Sequence, residues 1–123
     1  MVTNALRVDP DGGIQLLEID ASTSETRAAA MVEQIGCRMY TVVALPGNVD
    51  LWVDDEGIDT KPINRELTRM SRISVPEQSD LAGVGLFLGV DPETGESQGL
   101  TRREVERVLN WWIVTVKFDL IDI

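Results

Sequence analysis

Hydrophobic and polar positions follow two periods along this chain, one of about two residues and one of about three and a half. Ala5-Leu6-Arg7-Val8 is strand-like, Asp9 to Gly13 is dense in turn formers, and Ile14 to Ile19 alternates as a returning strand. An N-terminal hairpin is the expectation. Ser22 followed by Glu25 has capping-box spacing, Ala28, Met31, Val32 and Ile35 share one helical face, and Gly36 supplies a stop, so a helix follows. Met39 to Leu45 is rich in β-branched residues, and Pro46-Gly47-Asn48 favours a turn. Beyond it, Val49, Leu51 and Val53 alternate with Asp50, Trp52 and Asp54, which predicts a second hairpin with one buried face.

The second half continues the mixture. Asn64 is placed to cap a short helix, Arg65 to Arg72, with Leu67 and Met70 inward and Arg65, Arg69 and Arg72 on the opposite face. Pro76 to Gly83 reads as a loop. Val84 to Val90 is almost wholly apolar, the signature of a strand covered on both faces. A turn over Asp91 to Glu96 precedes a second capping box, Thr101 with Glu104, and a helix whose inward stripe is Val105, Val108 and Leu109. Asn110 is expected to end that helix, and Trp111 to Ile123 alternates like a strand, with a β-branched run at Ile113 to Val116 that disfavours a longer helix. At a sheet edge this strand, with Trp111, Trp112 and Phe118, offers a place for a second copy to pair as a homodimer. The expected fold is one α+β domain over residues 1–123, a mostly antiparallel sheet built from hairpins, with two main helices and one short helix packed on it.

Composition changes this picture in two ways. With 123 residues and 43% hydrophobic content, the chain suits one core, and no apolar run approaches the roughly 20 residues of a membrane span. The start MVTNALRVDP lacks a signal-peptide pattern, which points to the cytoplasm. The lone cysteine, Cys37, forms neither an internal disulfide nor a metal cage by itself. The second change is charge: 11 Lys plus Arg against 21 Asp plus Glu leave a net of −10. Residues 1–60 hold eleven acids and three bases, a net of −8, so the acidity lies mainly in the first half. Direct binding of nucleic acid is disfavoured.

The absence of histidine excludes a Ser-His-Asp triad, a Cys-His pair and histidine-ligated zinc. The glycines from Gly83 to Gly89 lie inside an apolar strand, so they do not form a phosphate loop. The acidic stretch Asp54-Asp55-Glu56-Gly57 fails the spacing of a helix-loop-helix calcium site, since counting from Asp50 puts Asp55 sixth and Lys61 twelfth. It reads as a solvated turn. No metal ligand set and no cofactor is assigned. Three other groups remain as binding candidates: the acids Asp50, Asp54 and Asp55, the arginine stripe, whose forks suit phosphate or carboxylate, and Trp52, which with Tyr40 offers a stacking surface.

The ordered blocks ALRVDPDGG, VVALPGNVDLWVDDEG, KPINRELT and VGLFLGVDPETGE, followed by Gly99-Leu100-Thr101, resemble the domain of unknown function 3846 family of small phage and plasmid proteins. The resemblance runs from about Ala5 to Val108, with the tryptophan strand as an addition. The block CRMYTVVALPGNVDLWVDDEG is similar to versions from actinobacterial phages. A viral or mobile-element protein made in a bacterial cytoplasm is implied, with no activity and no catalytic residue to carry over. The expected function is non-enzymatic: an accessory protein that binds and modulates a host bacterial protein through its acidic surface, one form of which imitates nucleic acid. Capture of a nucleotide-like small molecule by the arginines and Trp52 is the alternative, and a metal-dependent hydrolase at the acidic stretch is the second.

Overall fold

The structure is a computed structural model that describes the backbone of residues 2–121 and the side chains of residues 3–117. Its strands form where the alternating segments predict them. β1 (Val2–Val8) and β2 (Ile14–Asp20) make the first hairpin, and β3 (Tyr40–Leu45) and β4 (Val49–Asp54) the second. The apolar segment becomes β5 (Gly85–Val90), and a two-residue β6 (Ser97–Gln98) pairs with its end. Every pairing is antiparallel, and the sheet order is β2-β1-β5-β4-β3 with β6 beside β5. β5 therefore sits centrally. Its burial on both faces explains its lack of alternation.

Side-chain parity divides the core. Leu6, Val8, Val49, Leu51, Val53 and Phe87 point to one face, where they meet α3 (Arg65–Arg72) and α4 (Arg102–Ile121). Ala5, Ile19, Leu86 and Leu88 point to the other, where Met31 and Ile35 of α1 (Ser24–Ile35) cover them. A β-carbon on Gly85 would stand 2.5 Å from Leu67 Cδ2, so glycine there lets α3 settle onto the sheet.

The helix caps follow the sequence in kind, with one shift of register. α1 is capped by Thr23, in a reciprocal box with Thr26 and not Ser22 with Glu25, because Ser22 instead donates both its amide and its hydroxyl to Asp20 Oδ1. Gly36 ends α1 at φ 69°, as expected. Of the predicted inward stripe, Met31 and Ile35 are buried, but Val32 is exposed. Asn64 caps α3 through its side-chain oxygen and the Leu67 amide, and Thr101 with Glu104 forms the expected box before α4. A helical turn, α2 (Gly57–Thr60), follows the acidic stretch.

The C-terminal segment corrects the sequence reading. Trp111 onward is not a strand but the continuation of α4, and Asn110 lies inside that helix. Val105, Val108, Trp112 and Thr115 form one helical stripe; Val108 and Thr115 are buried, and Val105 and Trp112 pack on the core. Helix propensity penalises each β-branched residue by no more than roughly 0.7 kcal/mol. Covering the α3 face of the sheet outweighs that sum. With no strand there, the expected edge for self-pairing does not exist, and Trp111 and Trp112 pack on the chain's own core. The Phe118 side chain lies outside the described residues.

Candidate functional site

The acidic stretch is tied into the fold by one lysine. Asp54 ends β4 with its side chain only 6% exposed, and its Oδ2 lies 2.8 Å from Lys61 Nζ, while its Oδ1 accepts the Glu56 amide at 2.9 Å. The same ammonium donates to the Ile35 carbonyl at 2.9 Å and the Gly36 carbonyl at 2.6 Å. Lys61 thus spends all three protons on the C-terminus of α1 and on Asp54, where a positive charge also meets the negative end of the helix dipole. Burial raises the Asp54 pKa, but the bonds from Lys61 and Glu56 and the charges of Lys61 and Arg38 outweigh it, so the carboxyl lies below its ordinary value. Glu56 accepts from Nη2 and Nε of Arg38, at 2.6 and 3.2 Å.

Asp55 has the opposite environment. Its amide donates to the Met39 carbonyl at 2.9 Å, but its exposed side chain makes no bond among the described residues. Asp50 stands four residues before Asp54 on β4, roughly 13 Å away at strand rise, half-buried on the α1 face, and burial raises its pKa. The three aspartates do not converge. Among the described residues no group of three or more His, Cys, Asp or Glu is placed to hold a metal ion. Burial first and the Asp54 charge second push the Cys37 thiol up, against a smaller pull from Lys61, which disfavours the thiolate.

The arginines and the tryptophan are separated by the sheet. Trp52 lies on the α1 face, packed edge-on against Tyr40 with ring centres 5.3 Å apart. Its buried Nε1 has no hydrogen-bond partner among the described residues. α3 covers the other face. Arg72 donates to the Gln78 carbonyl at 2.7 Å and meets Asp80 at 3.2 Å, fastening the loop after α3, and neither Arg65 nor Arg69 is without a partner. No single small ligand touches both the stripe and Trp52.

An open cleft of about 590 Å³ lies where β3, α2 and the Gln78–Ala82 segment meet. Thr41, Val43, Ile58 and Leu81 line it, and Asp55 and Asp80 bring carboxylates to it. The sequence reading did not single out this place. Its trace is the uncharged run YTVVAL, which the hairpin pairs with the strand ending in the acidic stretch.

Among the described residues no helix is long and apolar enough to cross a membrane. No curated protein and no solved structure matches the chain. The model of one family, Domain of unknown function (DUF3846), matches residues 2–113, which extends past Val108 and takes in Trp111 and Trp112. Spanning nearly all of the chain, this match shows that the protein belongs to the DUF3846 family.

Proposed function

We propose that this protein acts by binding another protein, as an accessory factor of a phage or mobile element that modulates a host bacterial protein in the cytoplasm. One observation carries the reading. The carboxylates with catalytic or metal-binding potential are consumed by the fold, Asp54 by Lys61 and Glu56 by Arg38, while Asp55 at the cleft and Asp59 on α2 face solvent. In a chain of net charge −10 with no histidine, exposed acids without a catalytic partner favour recognition of a basic surface over chemistry. The block CRMYTVVALPGNVDLWVDDEG supports an origin in an actinobacterial phage.

The test is affinity purification of the tagged protein from a bacterial lysate, beside an Asp55→Asn, Asp59→Asn variant that leaves Asp54 intact. One host protein recovered at stoichiometric yield and lost with the variant is the expected result. A co-purifying nucleotide with no protein would shift the reading to small-molecule capture through the arginine stripe. Thermal stabilisation by a divalent cation would shift it to the hydrolase.

A further inference from the structure

We infer that β3 is a docking edge, which takes an extended, basic segment of a partner protein as an added strand; this rests on the protein-binding reading above. The register of the hairpin shows which groups are open. The Asp55 amide bonds the Met39 carbonyl, and the pairs Tyr40 with Asp54 through Leu45 with Val49 follow without a bulge. In an antiparallel ladder bonded pairs alternate, so Met39, Thr41, Val43 and Leu45 face β4 with their backbone groups, and Tyr40, Val42 and Ala44 turn theirs outward. Among the described residues no hydrogen bond reaches those outward groups.

The two edges of the sheet are protected differently. β2, at the far edge, carries exposed Gln15, Glu18 and Asp20, which discourage pairing. β3 carries no charge, no proline and no bulge across YTVVAL. A strand laid along it sends alternate side chains to opposite faces. Those on the α3 side enter the 590 Å³ cleft, whose apolar lining includes Ile58, 55% exposed. Those on the α1 side meet Val42, 44% exposed.

Charge selects the occupant. Among the described residues Asp55 makes no side-chain bond, and the Asp80 carboxylate remains more than half exposed beside Arg72, so the cleft favours lysine or arginine on the incoming strand. A second copy of the chain would bring its own net charge of −10 to the same edge and is disfavoured. The fitting partner is a five- or six-residue extended segment that alternates basic with small apolar residues, bound mainly through its backbone.

Panning a displayed library of random decapeptides against the full chain tests this. Enriched peptides should share a period of two with basic residues, and their binding should slow amide exchange at Tyr40, Val42 and Ala44 more than at Thr41 and Val43. Val42→Pro, which removes an outward amide that an edge strand does not need for folding, should weaken binding by about tenfold or more. Should that variant unfold, methylating alternate peptide nitrogens must produce the same loss. No enrichment, enrichment of acidic or aperiodic peptides, or protection elsewhere would overturn the inference, as would a concentration-dependent dimer that Val42→Pro dissolves. A host protein retained from lysate by folded Val42→Pro but lost with the acidic variant would remove the edge and leave the binding reading standing. No recovery by the native chain would remove that reading, with the peptides still judging the edge.

Discussion

The indole Nε1 of Trp112 donates a 2.8 Å hydrogen bond to the carbonyl of Gly12, 100 residues earlier. It pins the middle of α4 to the turn between β1 and β2, closing the helix layer over the sheet. Trp112→Phe keeps most of the apolar contact but loses the donor. A loss of about 1–2 kcal/mol follows, or a fall in Tm of roughly 3–8 °C, with the oligomeric state unchanged. Chemical denaturation with sedimentation checks both, and an unaltered midpoint would mean the bond contributes nothing net.

Lys61 joins three things that the chain separates: Asp54, the end of α1 and the start of α3's loop. Lys61→Met leaves Asp54 nearly buried without its counter-charge and removes the donor from two carbonyls. The expected destabilisation is about 2–3 kcal/mol. Adding Asp54→Asn should recover part of it, so the double variant is less unstable than the sum of the singles. Strict additivity in a denaturation cycle would show that the pair does not interact.

Stability should depend on pH through two aspartates in opposite senses. Asp54 has a lowered folded pKa, so its contribution is complete above the unfolded carboxylate value, about 3.9, and is lost as pH falls through the lower folded value. Asp50 has a raised folded pKa, so its contribution is present below the unfolded value and is lost as pH rises through the folded one. At neutral pH Asp54→Asn should therefore lower Tm and Asp50→Asn should hold or raise it. Melting curves from pH 3 to pH 7 read both signs directly, and the reverse order of the two variants would refute the assignment.

Both hairpins were legible in sequence because each has its turn chemistry and alternation in one local window, as at Pro46-Gly47-Asn48 between Leu45 and Val49. The end of α4 was not. Its residues Ile113 to Val116 prefer strand locally, and only the uncovered face of a sheet assembled from distant segments turns them into helix. The site divides in the same way. That Asp54 and Asp55 close a strand could be read from their neighbours, but which of them is free depends on Lys61 reaching back 26 residues to Ile35. No spacing rule describes that contact.

Asn64 ties three segments of the fold together from inside the core, and its chemistry is directly testable. Fully buried, it donates from Nδ2 to the Val8 and Gly83 carbonyls at 3.1 and 2.9 Å and accepts the Leu67 amide at 3.1 Å on Oδ1. Asn64→Ala strands the Gly83 carbonyl and the Leu67 amide, at roughly 1–3 kcal/mol each, and leaves the Val8 carbonyl with only its ladder partner Gly85, so a loss of about 2 kcal/mol or more is expected. Asn64→Asp is more informative. Its carboxylate would face the two carbonyl oxygens, so the introduced group favours the protonated form and has a raised folded pKa. Its stability relative to the native chain should then be greatest below the unfolded value near 3.9 and fall as pH rises toward 7. A flat difference in denaturation midpoint across that range would show that position 64 is reached by water and does not hold the three segments together.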